Sequence, residues 1–249
     1  MEFQIYIDTV YVYSHLFLFL VHKDYKMSGT LYIVATPIGN LEDITLRAIR
    51  ILKEVDLIAC EDTRHTRILL NHYEIKTPAT SYFEHNKLTK GDWLLGQIME
   101  GKNIALVSDA GTPGISDPGY NLVVSAIEKG VSVIPVPGPS ALAAAICAAG
   151  LPTDQIHFVG FLPMKEGKKR RLIESLNEVT ATLVFYESPF RVKKTVRLLY
   201  EVLGERRAVL AHELTKIHES FLRGGLSKLS EEKYPIMEKG EWVILVEGV

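Results

Sequence analysis

From Leu31 onward the chain alternates short apolar runs with longer stretches whose apolar residues recur at helical spacing. Leu31–Ala35, Leu57–Cys60, Asn103–Val107 and Val131–Val136 predict strands, each a brief apolar run bounded by turn residues. Thr45–Lys53, Thr63–His72, Lys87–Glu100, Gly119–Lys129 and Ser140–Ala149 predict the helices between and after them. Such alternation implies a mostly parallel sheet covered on both faces. Gly150–Leu151–Pro152 closes the Ala-rich helix and sets the expected boundary between an N-terminal α/β domain (27–151) and a C-terminal one (152–249). In the second part, His157–Gly160, Ala181–Tyr186, Arg207–His212 and Trp242–Glu247 predict strands, with helices around Lys169–Leu176 and Phe190–Leu203. Ile217–Leu222 reads as one more strand, in a hairpin with Arg207–His212 or a neighbour. The expected fold class is α/β, two α/β domains with a cleft between them.

Residues 1–26 stand apart. Phe3–Val21 is rich in aromatic and aliphatic side chains, but Asp8 and His15 interrupt it and the uninterrupted part is too short to span a bilayer. It lacks the basic start and small-residue cleavage site of a signal peptide. The expectation is an upstream extension of unassigned role, with Met27 as the start.

Two strand ends carry unusual loops. Ser108–Gly119 (SDAGTPGISDPG) follows Asn103–Val107, and Pro135–Ala145 (PVPGPSALAAA) follows the next strand. Asp117 and Pro118 read as an N-cap and first helical residue. In open α/β sheets, ligands sit at the carboxyl ends of strands, so two such loops on neighbouring strands imply one shared site. A pair of plain tight turns is the rival reading.

Composition narrows the chemistry. Hydrophobic residues make up 47% and charged residues 23% of the 249, which supports an ordinary core. The formal net charge of −2 removes whole-molecule attraction to nucleic acid, so any such contact needs a local basic patch. Cys60 and Cys147 read as small, buried, reduced thiols, and a cytosolic home follows. No GxxxxGK[ST] is present, and the first strand leads into Thr36–Pro37–Ile38–Gly39–Asn40 rather than GxGxxG. No HExxH or paired Cys/His spacing points to a metal. The remaining loops offer small residues and one Asp, a lining suited to a phosphate-free cofactor such as S-adenosylmethionine.

The segments Leu31–Ala48 (LYIVATPIGNLEDITLRA), Cys60–Leu70 (CEDTRHTRILL), Ser81–Asn86 (SYFEHN), SDAGTPGISDPG, PVPGPSA, Phe158–Pro163 (FVGFLP), Tyr186–Arg191 (YESPFR) and Glu213–Glu219 (ELTKIHE) occur in this order. Together they closely resemble the ribosomal RNA small-subunit methyltransferase I family, within the tetrapyrrole-methylase (class III methyltransferase) fold. The resemblance runs from about Leu31 to the C-terminus. It implies S-adenosylmethionine-dependent 2′-O-methylation of a cytidine ribose in small-subunit (16S) ribosomal RNA. It also implies a cofactor cleft between the domains, a homodimer and a ribosomal RNA or ribosomal-particle partner, while the residues themselves point to neither metal nor membrane. The rival readings are methylation of a tetrapyrrole or another small molecule on the same scaffold, and a non-catalytic RNA-binding assembly factor. Phe190 stands where the family commonly has His, and His212 where it commonly has Arg.

By the same resemblance Pro37, Ser108, Asp109, Ala110, Gly111, Ile115, Ser140, Ala141, Tyr186 and Leu214 line the cofactor pocket. Asp109 is the acid placed to accept from an amine or a ribose hydroxyl, or else it caps its own turn. Candidates for the chemistry at the ribose are Glu61, Asp62, Glu187 and Lys216, with Arg64 and Arg191 orienting substrate. Asp62 before Thr63 is equally a helix cap, and Ser188–Pro189 reads as cap plus first helical residue. The run Lys165, Lys168, Lys169, Arg170 and Arg171 is a phosphate-binding patch or a solvated helix face. Arg64, Arg67, Arg191, Lys193, Lys194 and Arg197 extend it if the domains face one another. Tyr82, Phe83 and His85 are candidates to stack on an unpaired base, or packing residues beside their loop.

Overall fold

The computed structural model describes residues 28–83, 87–116 and 119–249, so the 1–26 extension, His85 and the Asp117–Pro118 cap lie outside the described residues. The described residues build two five-stranded sheets. The first contains β1 (Thr30–Val34), β2 (Leu57–Cys60), β3 (Ala79–Ser81), β4 (Ile104–Leu106) and β5 (Ser132–Val136). Their order is β3-β2-β4-β1-β5, and every pairing is parallel.

Helices α1 (Leu46–Glu54), α2 (Thr63–His72), α3 (Lys87–Met99) and α4 (Tyr120–Glu128) cover this sheet. Leu52 of α1 and Leu69 of α2 pack with Val34, Ile58 and Val107 on one face. On the other face, Leu94 and Ile98 of α3 and Leu122 of α4 pack with Leu31, Ala59 and Leu106. Neighbouring strands β1 and β4 therefore lead into helices on opposite faces. Their loops part above the sheet and leave a crevice, the position where open α/β sheets take ligands.

The second sheet contains β6 (Ile156–Phe161), β7 (Thr182–Glu187), β8 (Arg207–His212), β9 (Ser220–Gly225) and β10 (Trp242–Val246), in the order β6-β7-β10-β8-β9. Only β6 and β7 run parallel. Helices α6 (Glu166–Glu174), α7 (Val192–Leu203) and α8 (Leu226–Leu229) cover one face through Ile173, Val196, Leu199 and Leu226. The Ala-rich helix α5 (Ala141–Ala149) covers the other, setting Ala145 and Ala149 against Val184, Val209, Val243 and Leu245. Small side chains let α5 lie close to this sheet, so one apolar seam joins the two lobes. Gly150, at φ 77°, ends α5 in the left-handed conformation that glycine adopts without strain.

Some expectations need correction. The hairpin partner of β8 starts at Ser220, not Ile217, because Ile217 sits in the connecting loop at 97% exposure. Helix α7 starts at Val192, not Phe190: Ser188–Phe190 turn first, with the Ser188 carbonyl accepting from Arg191 and Val192 N–H. Cys60 is buried, and that burial pushes its thiol pKa up, whereas Cys147 is exposed on α5.

Candidate active site

Side chains and backbone stitch the carboxyl ends of four strands together. Thr36, after β1, exchanges two backbone hydrogen bonds with Gly111, after β4, at 2.8 and 3.0 Å. The Thr36 hydroxyl donates to the Ser108 carbonyl at 3.1 Å, and the Thr112 hydroxyl reaches the Pro139 carbonyl after β5 at 3.0 Å. Asp62 N–H, after β2, donates to Asp109 Oδ1 at 3.0 Å. Gly111 holds φ 90°, a backbone conformation that strains any residue with a side chain, so this turn needs glycine.

The second lobe closes the space. Because β10 runs antiparallel to β7, Trp242 lies opposite Glu187 and Val243 opposite Tyr186. Between these ends and the loops of the first sheet is a cavity of about 390 Å³, within the range of small-ligand sites. Asp109, Ala110, Gly111, Ile115, Ser140, Ala141 and Tyr186 all line it, as do Glu61 and Glu187. Pro37 and Ser108 line a neighbouring pocket of about 250 Å³, with Asp109 forming part of both walls. Leu214 is displaced from the expected lining into the apolar seam beside α5.

The lining is electrostatically one-sided. Among the described residues it includes Glu61, Asp109, Glu187 and Glu241, and no Lys, Arg or His. Glu187 is buried and neutralised from behind. Its oxygens accept from Ser188 N–H (2.8 Å), Thr195 Oγ1 (2.6 Å) and Arg191 Nη2 (3.2 Å), with Lys169 Nζ 3.8 Å away. Three donors and the nearby Lys169 ammonium occupy this carboxylate, which anchors the Ser188–Pro189 turn. Lys169 is likewise no surface phosphate contact, since it is buried and donates to Thr195 Oγ1 at 3.1 Å. Arg191 donates to the Leu162 carbonyl at 2.8 Å and is only partly exposed.

Asp62 is the N-cap of α2: Oδ1 accepts from Arg64 N–H at 2.8 Å, and the carboxylate pairs with the Arg64 guanidinium. Hydrogen bonds from the Arg64 side chain hold its pKa down to about 2. Lys216 does not line the cavity; it pairs with Glu213 (2.9 Å) and with Glu241 on the cavity rim (3.1 Å). Its stem lies over Gly39, whose would-be Cβ falls 2.4 Å from Lys216 Cγ. Arg64, Arg67, Lys168 and Arg171 are exposed, and Arg170 pairs with Glu201 at 2.6 Å. Tyr82 is 1% exposed in the core and cannot stack on a base, while Phe83 is 38% exposed.

The lining residues missed from sequence include Thr112, Ser116, Phe161, Gly240 and Trp242. Thr112 and Ser116 sit inside the loop already singled out. Trp242 enters only through antiparallel pairing, for which a lone apolar run carries no signal. Among the described residues no group of three or more His, Cys, Asp or Glu is placed to hold a metal, and no helix is long and apolar enough to cross a membrane.

A crevice at a parallel-sheet switch point, roofed by a second mixed sheet, defines a class. Residues 30–230 match the family described as Tetrapyrrole (Corrin/Porphyrin) Methylases. Solved structures agree on the fold: a cobalt precorrin-4 methyltransferase of cobalamin biosynthesis is 19% identical, with a TM-score of 0.65 over 88% of this chain and 94% of that one. Uroporphyrin III C-methyltransferase from Thermus thermophilus is 22% identical, with a TM-score of 0.60 over 87% and 97%. Much nearer in sequence is the ribosomal RNA small subunit methyltransferase I of Halalkalibacterium halodurans, 54% identical over 88% of this chain and 76% of that protein. Its counterpart from Mesorhizobium japonicum is 49% identical over 88% and 76%. The chain belongs to this ribosomal RNA small subunit methyltransferase I family within the tetrapyrrole methylases.

Proposed function

We propose that the protein transfers a methyl group from S-adenosylmethionine to the 2′-oxygen of a cytidine ribose in small-subunit ribosomal RNA, in the cytoplasm. One observation supports it above the others: the cavity is lined by acids, while exposed cations gather beside it on α6 and α7. Lys165, Lys168 and Arg171 on the first helix and Lys193, Lys194 and Arg197 on the second are all exposed. An acid-lined cavity suits a cationic, phosphate-free cofactor, and a basic rim suits a phosphate backbone. The names of the two relatives point the same way.

In this reading Asp109 holds the cofactor's ammonium. The N-terminus of α5, where Ser140 makes no side-chain cap bond, receives its carboxylate. Ile38, Ile115 and Val243 provide apolar walls for its adenosine. The cofactor, when bound, supplies an electrophilic methyl on a sulfonium. Glu61, the sequence candidate that lines the cavity beside Asp109, takes the hydroxyl proton. Glu187 fixes the Ser188–Pro189 turn that borders the substrate, and Lys216 holds Glu241 at the rim. Positioning supplies roughly 7–11 kcal/mol in favourable cases, more than the 10²–10⁴-fold of a general base. A homodimer, implied by the family resemblance, is part of the reading. Exposed Tyr120 and Ile127 on α4, beside edge strand β5, support it.

Small subunits from cells lacking the enzyme, incubated with protein and labelled cofactor, test the proposal. A new 2′-O-methylcytidine is expected, and Lys168→Glu with Arg171→Glu should abolish it. Absence of label on subunits, or full activity of that double variant, overturns the reading.

A further inference from the structure

Two aromatic side chains, Phe161 and Phe190, stand exposed beside the cleft, the first at the end of a bulged strand and the second in a turn that follows two lining residues. Strand β6 carries a register shift between Phe158 and Gly160, with Gly160 at φ 72°. Such bulges re-aim side chains beside active sites. Phe158 packs into the seam below, whereas Phe161 lines the cavity at 59% exposure. The Phe161 ring meets Tyr186 edge-on at 5.6 Å between centroids, and Tyr186 meets Phe158 the same way at 5.0 Å. Gly160 also brings β6 against the first lobe, its would-be Cβ 3.3 Å from Ser116 Oγ. On the adjacent strand, the turn Ser188–Phe190 follows β7, with Ser188 and Pro189 in the lining and Phe190 76% exposed. Glu187 grips the start of that turn through Ser188 N–H.

Aromatics this exposed carry an unmet preference for an apolar or π partner. The surroundings say which partner. Lys165 and Lys168 follow Phe161 at the start of α6, and Lys193 and Lys194 follow Phe190 at the start of α7; all four are exposed. A ligand that presents a flat π-face and a phosphate on either side of it satisfies both features. Tyr82 is buried and unavailable for that purpose.

We propose that Phe161 and Phe190 clamp an unstacked nucleobase of the RNA at the cleft mouth, positioning its ribose over the cavity. The clamp rests on the reading of this cleft as an RNA methyltransferase site. Taking a nucleotide out of its stack lets an enzyme reach an atom otherwise inaccessible, and stacking on aromatic side chains offsets that cost.

Phe161→Ala and Phe190→Ala should each lower kcat/KM on small ribosomal subunits by about tenfold or more, the weight of a lost base–aromatic stack. Adenosylhomocysteine affinity, read by calorimetry, should stay within about twofold in Phe190→Ala, whose side chain is outside the cavity lining, as the lost contact is to RNA. Phe161→Tyr and Phe190→Tyr should retain activity, while Leu at either place should not. Independently of catalysis, ultraviolet irradiation of wild-type protein with single-stranded RNA containing 5-bromouridine should attach it to peptides bearing Phe161 or Phe190. Leu variants as active as Tyr, attachment confined to other peptides, or Ala variants that change only the protein's mass in solution would overturn the clamp. The last result would make the surface an interface between copies. If RNA attaches at Phe161 but subunits gain no methyl group, the methyl-transfer reading fails and the clamp stands.

Discussion

Lys169 Nζ lies 3.8 Å from Glu187 Oε2, and both side chains are shut away from solvent. One residue comes from the basic run on α6 and the other from the end of β7, so the pair ties helix to strand directly behind the cleft. Burial pushes the Lys169 ammonium pKa down, against the attraction of Glu187. Removing one partner of such a group strands the other charge, typically at about 3–5 kcal/mol. Glu187→Ala should therefore cost stability of that order, measured by chemical denaturation. Lys169→Met, which leaves Glu187 with Arg191 and Thr195, should keep RNA affinity within about twofold, whereas Lys168→Glu should weaken it and flatten its salt dependence. Equal RNA losses in both Lys variants would return Lys169 to the binding surface.

Lys216 and Glu213 give the seam a dependence on pH. Burial alone would raise the Glu213 carboxyl, but hydrogen bonds from Lys216 and Glu241 N–H lower it further, leaving it below the usual range. Burial alone would lower Lys216, yet Glu213 and Glu241 together hold it above the usual lysine range. For the acid, the stabilisation is present above the unfolded-state pKa and lost as pH falls through the lower folded value. For the base, it is complete below the unfolded-state pKa and lost as pH rises through the higher folded value. The melting-temperature gap between wild type and Lys216→Met should be widest near neutrality and close towards both extremes, scanned from about pH 3 to 11. A gap that does not vary with pH would mean that Lys216 acts only by packing over Gly39.

The strands from Leu31 to Val136 were legible because buried parallel strands are solid apolar runs whose ends are marked by Gly and Pro. β3 was not, since Ala79–Ser81 is too short to show a period and forms only because β2 offers an open edge. At the site, Asp109, Gly111 and Ser140 were legible as members of unusual loops. Phe161 and Trp242 were not, because a bulge and an antiparallel pairing bring them in, and both are settled by tertiary contacts. The basic run illustrates the same limit. Its charge was visible, but which of its cations turns inward depends on Glu187 and Thr195, far along the chain.

Asp62 and Asp109 touch, yet should behave differently. Asp62 caps α2, so Asp62→Ala should lower the melting temperature and leave adenosylhomocysteine affinity unchanged. Asp109→Asn preserves an acceptor for Asp62 N–H but removes the charge facing the cavity. It should melt like wild type and bind adenosylhomocysteine about tenfold or more weakly, the scale of a lost charge-assisted bond. Calorimetry on both variants decides the matter. A loss of affinity confined to Asp62→Ala would exchange their roles.

Glu61 is the carboxylate from the sequence candidates that lines the cavity without being the N-cap of α2 or the three-donor anchor of a turn. It follows β2 directly, so the rigid sheet sets its place beside Asp109, which receives the next residue's N–H. A base in that position acts only in the transfer step, since its proton arrives as the ribose oxygen attacks. Glu61→Gln keeps the shape and removes the basicity, so kcat on small subunits should fall by about 10²–10⁴-fold with KM for subunits little changed. The acid limb of the kcat profile, which reports the base in the bound complex, should vanish from what activity remains. A variant with wild-type kcat and a persistent acid limb would show that another group takes the proton. Weaker cofactor binding with kcat and RNA affinity intact would instead make Glu61 part of the cofactor's ammonium site.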